Sequence, residues 1–175
     1  MHLTLIRHTS VDVKPGTCYG ATDVGLSSAF ETEAAQVKHN LEGKVFDKVF
    51  TSPLTRCRKL ASFCGFNDAI PDDRLMEMNF GEWEMKEYDL IEDPRLQEWF
   101  DDYINVRATG GESFMDQQKR VKSFINDIKM TGCDNIAVFA HAGILLQFML
   151  LTSMITPAEA FRKQPPFGGI IEVDI

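Results

Sequence analysis

The spacing of apolar residues changes period several times along the chain. Residues 3–6, 45–50, 136–140 and 170–175 form short apolar or alternating runs that predict strands, the last setting Ile171, Val173 and Ile175 against Glu172 and Asp174. Helical spacing lies between them. Ser28 and Glu31 stand at capping-box distance and predict a helix over about 28–41. Ser52 followed by Pro53 predicts a cap and first-turn pair for a helix ending before Gly65. Within 113–131, Phe114, Val121, Phe124, Ile125 and Ile128 share one helical face, and Gly132 is placed to stop the helix. Residues 144–154 are apolar almost all round, which predicts a buried helix, and Thr156 followed by Pro157 opens a last short one.

Strands that alternate with helices predict a three-layer α/β fold, a mostly parallel sheet with helices on both faces and right-handed crossovers. No repeat, linker or low-complexity tract interrupts the chain, so a single domain over 1–175 is expected. Residues 77–116 break the alternation. They hold both tryptophans, two of the three tyrosines and twelve acids against Lys86, Arg95 and Arg107. An excursion over the sheet edge is expected there, with a helix capped at Asp93 and Pro94.

Composition narrows the field of partners. The 18 Lys and Arg against 26 Asp and Glu, a net charge of -8, argue against a nucleic-acid surface and an anionic membrane surface, both of which are held by clustered cations. The most apolar stretch, 144–151, is interrupted by Gln147 and falls short of the roughly 20 residues that span a bilayer. The amino terminus MHLTLIRHTS has neither the basic nor the long apolar region of a signal peptide, so residence in the cytoplasm is expected. Cys18, Cys57, Cys64 and Cys133 form no C-x-x-C pair and lack zinc-finger spacing, which favours packed, reduced thiols over a metal site.

Three expected strands run directly into reactive residues: LTLI into Arg7 and His8, KVFT into Ser52 and then Arg56, and IAVFA into His141, Ala142 and Gly143. Parallel strands end on one sheet edge, where open α/β sheets bind ligands. Two arginines and two histidines therefore converge. Guanidinium forks match phosphate oxygens, and helix amino termini after Ser52 and Gly143 add backbone donors. A cation at Arg56 opposes its own helix dipole unless an anion joins it. His2 and His39 lack such surroundings and read as surface residues.

The segments LIRH, SPLTRC, LMEMNFGEWE and VFAHAG, in this order over nearly the whole chain, resemble the histidine phosphatase superfamily, the phosphoglycerate mutase-like proteins. GTCYGATDVGLS looks most like the alpha-ribazole phosphatases within it. The resemblance implies that His8 is a nucleophile forming a phosphohistidine and that Arg7, Arg56 and His141 hold the phosphoryl oxygens; Tyr19 and Gly20 read either as a turn with an aromatic contact or as a substrate contact, and Ala142 is a candidate phosphate contact. Glu77 would protonate the leaving alkoxide and then take a proton from water. Glu82, Glu84 and Glu87 lie close by, and it is the resemblance, not spacing, that selects Glu77. Neither metal nor cofactor is implied. Thr9, Phe30 and Met85 stand where the family commonly has Gly, which leaves the catalytic set intact.

The expected partner is a small phosphomonoester, foremost alpha-ribazole 5'-phosphate in cobalamin nucleotide loop assembly. A broad-specificity phosphatase and a phosphoglycerate mutase are the alternatives within enzymes, and an inactive phosphoryl-binding module is the alternative outside them. Glu82 and Glu84 are expected to repel a substrate carboxylate, and Trp83 or another exposed aromatic to stack on a flat ring.

Overall fold

The computed structural model describes residues 1–175, apart from the side chain of Phe161. Five strands, β1 His2–Arg7, β2 Lys48–Thr51, β3 Ile70–Pro71, β4 Asn135–Ala140 and β5 Ile170–Asp174, form one sheet in the order β3-β2-β4-β1-β5. All neighbours are parallel except β5, which runs antiparallel to β1. Side chains alternate across the sheet and so build two cores. Leu3, Leu5, Ile136 and Val138 meet Val121, Phe124 and Ile128 of α4 (Phe114–Lys129) and Ile144, Leu145 and Phe148 of α5 (Ala142–Leu151). Ile6, Ala137 and Phe139 meet Ala34 and Val37 of α1 (Phe30–Asn40) and Cys57 and Leu60 of α2 (Thr55–Phe63) on the other face. This is a three-layer α/β fold with a mostly parallel sheet.

The departures from the expected elements have local causes. Strand β3 is two residues long and exposed, and Pro71, which lacks an N–H, is tolerated there because the strand is an edge. Ser28 does not cap α1; the helix begins at Phe30 without a side-chain cap, while Ser27 Oγ accepts from the Ala29 amide at 3.1 Å. Nor does Ser52 cap α2. The helix starts at Thr55, whose amide and hydroxyl donate to Asp23 at 2.9 and 2.6 Å, so a carboxylate from a distant loop does the capping. Helix α4 has the capping box Ser113 and Asp116, and α5 starts at Ala142, two residues earlier than expected. The last helical segment, Pro157–Lys163, is a 3-10 helix with a capping box of Thr156 and Glu159.

The excursion over 77–116 contains α3, Arg95–Asp101, which follows Pro94; the Asp93 carboxylate accepts from the Arg95 amide, Trp83 Nε1 and the Thr109 hydroxyl. It packs a small core of its own from Met78, Trp83, Trp99 and Ala108, joined by Cys18. Cys18 comes from the loop after β1, which is stitched to the excursion by the Cys18 amide on the Lys86 carbonyl at 2.8 Å and the Met85 amide on the Cys18 carbonyl at 2.7 Å. Met85 has φ 64°, the left-handed region that glycine occupies at least cost, which explains the usual Gly at this position. Glu84 is the clamp between the two segments. Its carboxylate accepts from the amides of Gly20, Ala21, Thr22 and Phe80 and from the Thr22 hydroxyl, all within 3.2 Å. Among the described residues no helix is long and apolar enough to cross a membrane, and all four cysteines are free, Cys18 and Cys57 being buried.

Removing the Glu84 clamp orphans four amides at once. Glu84→Ala is expected to lower the free energy of unfolding by about 3 kcal/mol, since hydrogen bonds to a charged group are the stronger class. Urea denaturation followed by tryptophan fluorescence measures it.

Candidate active site

The ends of β1, β2 and β4 lie side by side, and backbone hydrogen bonds carry the chain past them in register: the His8 amide donates to the Ala140 carbonyl at 3.0 Å, and the Ser52 amide to the Phe139 carbonyl at 2.8 Å. His8, Arg56 and His141 are thereby brought together, buried, with the two imidazole centroids 5.1 Å apart. Arg7, His8, Tyr19, Arg56, Glu77 and Ala142 line one cavity of about 290 Å³. Gly20 and His141 stand behind its wall.

The protonation of His8 follows from its neighbours. Nδ1 donates to the Thr9 carbonyl at 2.7 Å, so the hydrogen sits there and Nε2 keeps its lone pair. Burial, together with the charges of Arg56 and Arg7, brings the His8 pKa from an ordinary 6.5 to about 3. Burial, with His8 and Arg56 acting in the same sense, also holds His141 well below 6.5. His141 Nδ1 accepts from Arg56 Nε at 3.3 Å, which leaves the hydrogen on Nε2 to meet Ser52 Oγ at 2.7 Å. Both nitrogens of His141 are thus engaged with protein groups.

Arg56 is fully buried, yet its partners are uncharged: the His141 ring, the Thr22 carbonyl at 2.9 Å and the Gly20 carbonyl at 2.6 Å. Those three bonds use three of its five N–H groups. Gly20 must be glycine, because a Cβ would overlap the Met78 carbonyl. Arg7 donates from Nη1 to the Pro165 carbonyl at 2.5 Å, stacks at 4.1 Å on the Phe167 ring and leaves its buried Nε without a partner. Burial lowers its pKa. Among the described residues neither guanidinium forms a salt bridge. Two desolvated cations without a carboxylate partner make an anion site. Tyr19 lies beside them, its ring centroid 5.8 Å from Arg56 Cζ and its phenol pKa raised by burial.

Glu77 faces this pair across the cavity in a fixed pose. Its Oε1 accepts from Gln117 Nε2 and the Met78 amide, each at 2.9 Å, and its Oε2 from the Gly143 amide at 3.0 Å. The amide of Gly143, in the first turn of α5, is therefore spent on Glu77. Gln117 is fully buried and accepts in turn from Gln147 Nε2 at 3.4 Å, which also donates to the Phe114 carbonyl at 2.9 Å. Sequence reasoning missed Gln117, although a polar residue three positions after Phe114 on the apolar face of α4 is its visible signal. It also missed Phe167, for which no local pattern exists.

The other end of the cavity is apolar and aromatic, formed by Phe80, Tyr88, Trp99, Tyr103, Phe114 and Leu146. Two expectations fail here. Glu82 and Glu84 do not line the cavity, Glu84 being occupied as the clamp, so they are not placed to repel a substrate. Trp83 does not face it either; its ring is buried and its Nε1 donates to Asp93 at 2.7 Å. Trp99, itself largely buried, lines the cavity instead.

Comparison with known proteins agrees with this geometry. Residues 3–174 match the model of the histidine phosphatase superfamily, branch 1. The chain is 31% identical to the adenosylcobalamin/alpha-ribazole phosphatase of Escherichia coli K12, over 99% of this chain and 91% of that one. It is 27% identical to the putative phosphoserine phosphatase 2 of Hydrogenobacter thermophilus, over 98% and 88%. The crystal structure of the alpha-ribazole phosphatase from Shigella flexneri superposes with a TM-score of 0.89 at 25% identity, covering 100% of this chain and 91% of that one. The motifs at the strand ends, the mostly parallel sheet that aligns them and the match along the chain together establish that this protein belongs to the histidine phosphatase superfamily.

Proposed function

We propose that this protein is a phosphomonoesterase that works through a phosphohistidine on His8, with alpha-ribazole 5'-phosphate as its substrate. The observation that carries the reading is the pair of guanidiniums, Arg56 fully buried and Arg7 partly buried, which form no salt bridge with a carboxylate and flank an imidazole with a free Nε2. A phosphoryl group supplies the missing negative charge, and the unspent N–H groups of both arginines and of the first turn of α5 at Ala142 receive its oxygens. His141 keeps Arg56 in that pose. With so much positive charge already in place, metal-independent hydrolysis is the expected mode.

The reaction runs in two displacements. Nε2 of His8 attacks phosphorus, the P–O ester bond breaks, and the leaving oxygen takes a proton from Glu77. Water then attacks phosphorus and gives a proton to Glu77, and the N–P bond breaks to release phosphate and neutral His8. The low pKa of His8 serves the first step, because its lone pair is available throughout the neutral range.

The leaving group occupies the aromatic end. A flat, uncharged riboside suits that wall better than phosphoglycerate or phosphoserine, whose carboxylates need a further cation; Arg7 and Arg56 are the cations lining the cavity among the described residues. The 31% identity to an adenosylcobalamin/alpha-ribazole phosphatase supports the same substrate and a place in cobalamin nucleotide loop assembly.

Quenching the enzyme in alkaline detergent after mixing with alpha-ribazole 5'-phosphate radiolabelled in its phosphate is expected to trap base-stable, acid-labile label on His8, and His8→Ala to lose both label and turnover while keeping its fold by circular dichroism. A higher kcat/KM for phosphoserine or 3-phosphoglycerate would replace the substrate assignment. Glu77→Gln should slow alkyl esters by about 100-fold and 4-nitrophenyl phosphate far less in the first step. Gly143→Ala should do the same without unfolding the chain, because the new Cβ would overlap Glu77 Oε1, the end of a flexible side chain. Equal losses for all leaving groups would remove Glu77 from the acid role.

The histidines also set a pH dependence of stability. Between about 3 and 6.5 the unfolded chain protonates His8 and the native state does not, so the unfolded state binds more protons and stability falls as pH drops through that window. His141 acts in the same direction. Urea unfolding across this range should show a shallower slope for His8→Gln than for the unaltered protein.

A further inference from the structure

Three side-chain amides form a chain that ends on Glu77. Gln118 Nε2 donates to Gln147 Oε1 at 3.2 Å, Gln147 Nε2 to Gln117 Oε1 at 3.4 Å, and Gln117 Nε2 to Glu77 Oε1 at 2.9 Å. Gln117 and Gln147 are fully buried, and Gln147 does not line the cavity. A side-chain amide turned end for end keeps its shape and exchanges donor for acceptor, so the direction of such a chain needs a fixed point. The Phe114 carbonyl provides it. A backbone carbonyl only accepts, and this one takes a bond from Gln147 at 2.9 Å, which sets the NH2 end of Gln147 toward α4. The second hydrogen of that NH2 meets Gln117, which therefore presents its oxygen to Gln147 and its own NH2 to Glu77.

We propose that Gln147 is a positioning residue for the proton transfer, acting through Gln117 by keeping that amide in one direction while Glu77 gains and loses its proton. The inference rests on the reading of Glu77 as acid and base above and adds to it a residue remote from the substrate. An ionised Glu77 attracts the NH2 end of Gln117 unaided. A protonated Glu77 does not: its O–H is a donor, and a Gln117 free to turn would accept that hydrogen on its own oxygen and withhold it from the leaving group. Gln147 opposes the turn, because a reversed Gln117 would set NH2 against NH2 and leave both without an acceptor in a buried place. In the direction held, Oε1 of Glu77 accepts two hydrogens, from Gln117 and from the Met78 amide, and the proton falls to Oε2, which accepts one, from the Gly143 amide. Neutral amides do this without adding a charge beside the phosphate, and the low dielectric around them strengthens each bond.

The direction of the amide is read by NMR. Two hydrogens donated to one oxygen each lie about 1.9 Å from it, so those of Gln117 Nε2 and the Met78 amide come within about 4 Å of each other. A strong nuclear Overhauser effect between them is expected in the unaltered protein and should persist when Glu77 is protonated, as followed by its carboxyl carbon shift; in Gln147→Leu it should be lost on protonation. Kinetics read the consequence. Gln147→Leu should lower kcat/KM for alkyl phosphates about tenfold and for 4-nitrophenyl phosphate by less than about twofold, while the inhibition constant of inorganic phosphate stays within about twofold because Arg7 and Arg56 are untouched. Gln117→Leu should lose at least as much, and the double variant no more than Gln117→Leu alone, since Gln147 acts through Gln117. A missing Overhauser effect in the unaltered protein, equal losses for both ester classes in Gln147→Leu, or losses that add in the double variant would each overturn the positioning role. If Glu77→Gln still spares 4-nitrophenyl phosphate, the acid reading survives that failure. If Glu77→Gln slows both ester classes equally, the two readings fall together.

Discussion

Burying a guanidinium away from water without a carboxylate beside it is among the more costly arrangements a protein can adopt, and this chain does so fully at Arg56 and in part at Arg7, within one cavity. Arg56 is held by two carbonyls and an imidazole, Arg7 by a carbonyl and the face of Phe167. Much of the surrounding structure serves to keep those contacts in place. The Gly20 and Thr22 carbonyls face Arg56 because Glu84 gathers the amides of residues 20–22, and Glu84 is itself set by the stitched segments after β1 and β3. Asp23, one residue further along the same loop, caps the helix that carries Arg56. A single loop thus fixes both ends of the cation's support, and the unmet charge is what an anionic substrate completes.

The proton-transfer side is built with neutral groups. Glu77 is oriented by two backbone amides and by Gln117, and Gln117 is tied through Gln147 to the Phe114 carbonyl. Amides orient a carboxylate without adding a fixed charge that would compete with the phosphate. The interruption of the apolar α5 by Gln147 is the visible trace of this relay at the level of sequence.

The excursion over 77–116 joins the two halves. It contributes Glu77 to the end of the cavity that holds the arginines and Phe80, Tyr88, Trp99 and Tyr103 to the aromatic end, so one segment supplies the proposed acid and the aromatic wall together. Its own core, centred on Trp83 and Trp99, packs behind that wall.

The three-layer architecture and the meeting of His8, Arg56 and His141 were legible in the sequence, because alternation with a period of two and helical spacing are local, and because parallel strands necessarily end on one edge. What an individual carboxylate or aromatic does was not. Glu84 and Glu77 are chemically the same side chain seven residues apart, and only the arrival of four amides at one and of Gln117 and Gly143 at the other separates a clamp from a candidate acid. Asp23, not Ser52, caps α2, and Trp99, not Trp83, faces the cavity, for the same reason: each outcome depends on partners that folding brings from distant parts of the chain. Local periodicity determines which faces are buried, whereas the partners a buried polar group finds are decided by the tertiary structure alone.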